Sequence, residues 1–364
     1  MLKYSADRSS LLSGENHNPV AKKSYKEYSE SFPNQLSLFE LLEEPSEVSP
    51  SSQLSKPKKY SQSVEKYDFL PKVYYGKGKS SKESLPVITR HFESNGQERV
   101  LEIYPAQVKD HKTGETTYHY LGKREEIVED VLRKLVVEGN GIYLDGQLGL
   151  KFSVYQVRKE LEKHSHTLSF VEVIESLRIL AFTRFELRQP DKKRGIVFSP
   201  IDNFGYEGED DEMTTFIIFS KMVTEGINSL KFRLYDYERV MKYKNVIARQ
   251  LHKRMSYYFT QASITNIYTI KLSTIIRDFG LTAQKRIQTN LIDVEKALEE
   301  MIKKDVLLNY QVEKIWNEKE TKLLDVKLHL RPSISFSNET KKANKYDQIV
   351  KGQGNVLTLD IKKD

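Results

Sequence analysis

The sequence predicts an α+β fold of two similar units in tandem behind a solvated amino-terminal arm. Three observations carry this: an internal repeat, the same order of helices and strands in each copy, and a polar first stretch with no apolar period.

The arm comes first. Residues 1 to about 66 are rich in Ser, Asn, Pro, Lys and Glu. Runs such as Ser49-Pro50-Ser51-Ser52 and Lys56-Pro57-Lys58-Lys59 cannot bury enough apolar surface to offset the entropy of ordering, so disorder is expected. Gly76-Lys77-Gly78-Lys79-Ser80-Ser81 adds a soft junction after a small apolar patch at Phe69–Tyr75, and the arm is drawn over residues 1–86. One apolar island interrupts it, Leu36-Ser37-Leu38-Phe39-Glu40-Leu41-Leu42.

The body opens with a hairpin. Val87-Ile88-Thr89 and Val100-Leu101-Glu102-Ile103 flank Asn95-Gly96, a strong tight-turn signal. A helix follows from Lys123 to about Glu138, with Ile127, Val131 and Leu135 on one face. Slid by 120 positions, from 151 to 271, Lys151-Phe152-Ser153 falls on Lys271-Leu272-Ser273. At the same shift Ile127, Val131 and Leu135 fall on Ile247, Leu251 and Met255. The first copy continues with helices Ser153–His164 and Ser169–Leu180 and strands Phe185-Glu186-Leu187 and Ile196-Val197-Phe198. The second continues with helices Ser273–Phe279 and Ala283–Lys303 and strands Val306-Leu307-Leu308 and Leu323–Leu330. Ser153 and Ser273 suit helix N-caps, and Gly280 suits a sharp break between helices. Helix–turn–helix followed by a β-ribbon is the order of a winged helix. The expectation is two tandem winged-helix units, 87–235 and 236–331, with a tail over 332–364 that holds one strand pattern at Val356-Leu357-Thr358-Leu359.

Charge gives these units a direction. The 364 residues carry a formal net charge of +7 and a pI near 9.0, which permits a polyanion partner without requiring one. Along Ala283–Lys303, Ile287, Leu291, Val294, Leu298 and Met301 make one buried stripe. Lys285, Thr289, Ile292 and Lys296 then point away from it, with Arg286 and Gln288 on the flanks. Lys, Arg, Gln and Thr at the start of such a helix can read base edges in a major groove. The preceding helix supplies Lys242, Lys244, Arg249, Lys253 and Arg254, with no acid between Met241 and Thr260, which suits phosphate neutralisation. The matching helix of the first copy carries Glu172 and Glu175, and Glu207-Gly208-Glu209-Asp210-Asp211-Glu212 is acidic. That copy is expected to be the poorer DNA reader, either contacting the DNA backbone only or serving protein contacts, with self-association as its expected role.

Other classes are disfavoured. With no cysteine there are no disulfides, thiolate zinc sites or iron–sulfur clusters, which fits a reducing, cytoplasmic setting. No stretch has the apolar length to span a membrane. His164-Ser165-His166 lacks the apolar centre and partner acid of a metal-dependent nicking site. Gly78-Lys79-Ser80 resembles the end of a P-loop, but Val73 stands where the first glycine belongs. No other His/Asp/Glu group has metal-ligand spacing, so no cofactor, metal or enzymatic activity is expected.

The stretch Gly122-Lys123-Arg124-Glu125-Glu126-Ile127-Val128-Glu129-Asp130-Val131-Leu132-Arg133-Lys134-Leu135 resembles plasmid replication initiators of the RepA type. So do Lys151–Thr167 and Ile247-Ala248-Arg249-Gln250-Leu251-His252-Lys253-Arg254-Met255. The resemblance covers roughly residues 87–330. It implies binding to repeated double-stranded origin DNA (iterons), opening of adjacent DNA, recruitment of the host initiator and replicative helicase, and a homodimer in equilibrium with monomer. Dimerisation would lie in the first unit and repeat reading in the second. Gln35-Leu36-Ser37-Leu38-Phe39 is similar to the pentapeptide that binds the bacterial β sliding clamp, as in TrfA-like initiators. Leu38 and Phe39 would fill an apolar pocket and Gln35 would bond at its rim. The competing expectation is a winged-helix transcriptional repressor, for instance of its own gene, which has no use for a clamp peptide. A nicking enzyme is a distant third.

Overall fold

A computed structural model of the protein describes residues 59–76, 80–94, 96–110, 113–191, 193–208, 213–284, 286–319 and 321–352. The pentapeptide Gln35–Phe39, most of the acidic loop, Lys285 and the 356–359 strand pattern lie outside these residues.

The chain begins with β1 (Tyr60–Val64), the short α1 (Glu65–Asp68) and β2 (Ser80–Ser81). This departs from an arm ending at 86. Strand β1 pairs antiparallel with a strand far along the chain, Tyr60 opposite Asp236 and Val64 opposite Phe232. Val64, Tyr67, Leu70 and Val73 are buried in the main core. The serines of this strand are as buried as Tyr60 and Val64, so its polar composition hides a strand that finds its partner only in three dimensions. The expected hairpin is present as β3 (Ile88–Ser94) and β4 (Gln97–Tyr104), with Ser94 opposite Gln97 and Gly96 in the left-handed region at φ 71°. Strands β5 (Ala106–Lys109) and β6 (Thr116–His119) follow, forming a small sheet with β2.

The first repeat copy runs α2 (Lys123–Leu135), a π turn, β7 (Gly141–Leu144), β8 (Gln147–Ser153), α3 (Val154–Glu162), α4 (Phe170–Phe182), β9 (Arg184–Arg188) and β10 (Gly195–Phe198). Ser153 caps α3 as expected: its hydroxyl accepts the Gln156 N–H at 3.2 Å while the Gln156 side chain accepts the Ser153 N–H at 2.9 Å. Next come β11 (Ile201–Glu207), β12 (Thr214–Phe219), α5 (Lys221–Asn228), β13 (Phe232–Asp236) and α6 (Tyr237–Met241). The second copy repeats the order as α7 (Val246–Tyr258), β14 (Tyr268–Lys271), α8 (Leu272–Asp278), α9 (Ile287–Lys303), β15 (Leu307–Trp316) and β16 (Leu323–Pro332).

The two copies close their sheets differently. In the second, β14 joins the hairpin in the order β14-β16-β15. In the first, the hairpin β9–β10 extends β4 and β3, while β8 pairs with β12 and β7 in a separate sheet. The fold is thus mixed α and β, with one continuous apolar core that runs from Val64 through both copies to Phe336.

Nor is 332–352 a loose tail. Helix α10 (Ile334–Gly352) buries Phe336 and docks on β13 and α7. Glu339 accepts the Asp236 N–H at 3.1 Å and meets His252 Nε2 at 2.9 Å, and Asn344 Nδ2 donates to the Thr260 carbonyl at 2.7 Å. Burial pushes the Glu339 carboxyl up, yet the His252 and Arg239 charges outweigh it and hold the group below its ordinary value. Among the described residues no helix is long and apolar enough to cross a membrane.

Candidate nucleic-acid interface

Helix α8 starts at Leu272, so its N-cap is Lys271 and not Ser273. Ser273 instead ties the helix to the hairpin: its N–H and hydroxyl both donate to Asp325, at 3.1 and 2.5 Å. The helix ends in a Schellman turn, with the Leu281 N–H on the Ile276 carbonyl at 3.0 Å and the Gly280 N–H on Arg277 at 3.3 Å. Gly280 sits at φ 65°, and a Cβ there would displace the Arg90 guanidinium and crowd the Pro71 carbonyl. The positive φ is what favours glycine at this turn.

The chain then crosses to α9, which begins at Ile287 rather than Ala283. The reason is Asn290. Its buried side chain accepts the Gln284 N–H at 2.9 Å and donates to the Gln284 carbonyl at 3.3 Å, holding the incoming segment beside the helix instead of in it. Arg286 is left as the extended N-cap residue, at φ −106° and ψ 124°. Leu291, Val294, Leu298 and Met301 are buried as the stripe requires, and Ile287 packs against the core. Arg286, Gln288 and Thr289 are exposed, and among the described residues none of the three side chains makes a hydrogen bond or ion pair. Lys296 is exposed too, paired with Asp293 at 3.0 Å, and Ile292 stands out beside it.

The basic stretch before α9 behaves otherwise. Arg249 is wholly buried, its guanidinium 2.6 Å from Asp130 and 3.1 Å from the Val240 carbonyl. Lys253 is buried at 2.6 Å from the same carboxylate. Arg254 lies 3.3 Å from Asp278 and over the Tyr258 ring. The expected phosphate role of Arg249 and Lys253 is therefore corrected: both are held inside the protein, and Arg254 braces α7 against α8. A buried charge without a partner is very costly, and helix α2 supplies the partners. Its Glu126, Glu129 and Asp130 are all buried, Glu126 bonding the Tyr75 hydroxyl at 2.9 Å and Glu129 pairing with Lys72 at 3.1 Å. Burial pushes the Asp130 carboxyl up, but the Lys253 and Arg249 cations hold it below its ordinary value. Burial likewise pulls Lys253 down, and Asp130 raises it further than that.

Lys242 and Lys244 are exposed but stand elsewhere. The backbone N–H groups of Lys244 and Asn245 donate to Glu300, at 2.8 and 2.9 Å, fourteen positions beyond Arg286 along α9. At 1.5 Å per residue they lie roughly 20 Å from the start of the helix. The structure does not bring them to the Arg286 edge.

Acids of the first copy are also engaged. Glu172 completes the cap at Ser169, and Glu175 pairs with Arg124 at 2.7 Å. His164 and His166 do not converge: one pairs with Glu160 at 3.4 Å and the other bonds the Met241 carbonyl at 2.8 Å. Sequence reasoning missed Asn290, whose side chain sets where α9 begins, and the exposed Trp316 at the end of β15. Trp316 had a signal, as the sole tryptophan of the chain.

No family model matches this chain, and no curated protein matches it in sequence. Among solved structures it is similar to domains 2 and 3 of RctB, at 11% identity and a TM-score of 0.45 over 72% of this chain and 95% of that one. A second structure of RctB domains 2–3 gives 11% and 0.43 over 76% and 99%. The Pi initiator protein in complex with iteron DNA gives 12% and 0.40 over 58% and 91%.

Proposed function

We propose that the unit from α7 to β16 is a winged helix that binds double-stranded DNA with the start of α9, and that the chain is a replication initiator acting at repeated origin sequences. The observation that carries the DNA reading is the state of Arg286, Gln288 and Thr289. They are exposed, free of bonds among the described residues, and mounted at a helix start fixed by the Gly280 turn and the Asn290 clamp. Side chains of these types reach base edges when such a helix enters a major groove. Lys285 adjoins them in sequence. Lys296 adds exposed charge on the same unit, and Lys242 and Lys244 add it just before α7, away from the Arg286 edge.

The initiator reading, as against a repressor on the same fold, rests on the sequence resemblance and on Gln35–Phe39. Under it the first copy carries self-association and the arm hooks the β clamp. The direct test is anisotropy of the full chain with labelled origin repeats. Replacing Arg286, Gln288 and Thr289 together with Ala is expected to weaken cognate binding by at least about tenfold, since one good base contact is worth roughly 1–3 kcal/mol. Unchanged affinity overturns the assignment of α9. Calorimetry of a Pro33–Glu44 peptide against purified clamp separates initiator from repressor: binding lost on Leu38→Ala with Phe39→Ala supports the former, and no heat removes it.

A further inference from the structure

The hairpin β15–β16 carries features that α9 does not account for. Trp316 ends β15 and is 44% exposed, and Leu324 near it is 52% exposed. Along β15, Tyr310 and Val312 pack against the core. Alternation therefore puts Lys314 and Trp316 on the same, core-side face, with Trp316 roughly 14 Å past Val312 and beyond the last buried pair. The register slips between Ile315 and Trp316, so that Trp316 faces Leu323 and Leu324 is the extra residue on β16. A bulge of this kind re-aims the side chain of the bulged strand, here Leu324, which is exposed beside Trp316.

The tip that bears this indole is built in advance. The Asn317 side-chain oxygen accepts the N–H groups of Thr321 and Lys322, at 2.8 and 2.9 Å, and the Asn317 N–H donates to the Lys322 carbonyl at 3.0 Å. Lys314, Lys319 and Lys322 are exposed around it. Of the acids near it, Glu313 is drawn to Lys327 and His329, at 3.1 and 2.7 Å, Asp325 is held by Ser273, Glu318 is exposed at the tip, and Glu320 follows Lys319 in the sequence. The hairpin and the reading edge share a border, because Leu324 and Asp325 line the same cleft of about 490 Å³ as Gln284, Ile287 and Asn290.

We propose that the tip of β15–β16 is a second nucleic-acid contact, in which Trp316 stacks on a nucleobase uncovered by unpairing or kinking, with Lys314, Lys319 and Lys322 on the adjacent phosphates. This rests on the DNA reading of α9, whose start shares a cleft with Leu324 and Asp325 at the base of the tip. An indole suits any base, because stacking uses the π-face that all bases share. The contact therefore adds affinity for opened DNA without adding sequence choice.

Because Trp316 is the only tryptophan, emission excited at the red edge, where tyrosine does not absorb, reports on this tip alone. Three probes are titrated: a fully paired duplex, the same duplex with three adjacent mispaired positions, and an oligothymidylate. The expected result is saturable quenching that is strongest with the mispaired duplex. Trp316→Ala should bind that probe about tenfold more weakly, bind the paired duplex within about twofold, and melt at the wild-type temperature, while Trp316→Phe restores most of the loss. Quenching with oligothymidylate alone would assign the contact to free single strands. If anisotropy shows binding while emission and the Trp316→Ala affinities stay unchanged, the tip is not a contact and the α9 reading stands. Absence of binding to every probe overturns both.

Discussion

Two basic segments of the second copy, alike in composition but far apart in role, sit on α7 and at the start of α9. On α7, Arg249 and Lys253 turn inward to a single carboxylate, Asp130, and join the two copies. At α9, Arg286 turns outward and meets nothing among the described residues. Charge of the same sign on neighbouring elements thus does opposite work: one set is structural and the other is available to a partner. Counting cations along a chain identifies neither.

The strongest way to break this comparison is Asp130→Ala. It leaves Arg249 and Lys253 buried without their carboxylate, and the cost should be about 3–5 kcal/mol in urea unfolding. Below its melting point the variant should bind DNA as the wild type does; selective loss of DNA affinity would return α7 to the interface. Acid supplies a companion measurement. Asp130 is held below its ordinary value, so its contribution is complete above the unfolded carboxylate pKa of about 3.9 and lost as pH falls through the lower folded value. Glu339 acts in the same direction. The urea midpoint should hold from neutral pH to about pH 4 and fall below it, and Asp130→Ala should flatten that fall.

A smaller effect sharpens the other side. Asn290→Ala removes two bonds to the Gln284 backbone and should cost about 1–2 kcal/mol of stability. It should also weaken DNA binding, because the Arg286 edge is no longer fixed. Stability lost with DNA affinity intact would show that the edge needs no clamp. Ser153→Ala removes the α3 cap in the first copy and should cost about 1 kcal/mol in thermal unfolding without touching DNA binding; an effect on DNA would place the first copy in the interface. Smallest of all, Lys296→Ala breaks an exposed pair with Asp293 and should change stability by less than about 0.5 kcal/mol. Its value lies in the salt slope of DNA binding, which should become shallower if Lys296 meets a phosphate and stay the same if it does not.

Much of this was legible in the sequence. The repeat gave the order of elements in both copies, Asn95-Gly96 gave the first hairpin, Ser153 gave a cap, and the four-three spacing from Ile287 to Met301 gave the buried face of α9. These are local signals, fixed by the period of a helix, the reach of a hydroxyl to an amide two or three residues on, or the freedom of glycine at positive φ. The exposure of Arg286, Gln288 and Thr289 followed from the same periodicity.

What the sequence did not decide depends on contacts between distant residues. Glu126 and Asp130 on α2, and Arg249 and Lys253 on α7, are complementary pairs at helical spacing, yet a linear pattern cannot say that the two helices face each other. Tyr60–Val64 looks like part of a solvated arm until β13 provides its partner, and 334–352 looks like a tail until His252 and Asp236 meet Glu339. The start of α9 waits on Asn290 and Gln284, and the two ribbons, alike in sequence order, join different sheets. Periodicity determines which side of an element is apolar. Only the tertiary structure decides which charges are neutralised inside, because burying an ion requires a counter-ion that lies far away along the chain.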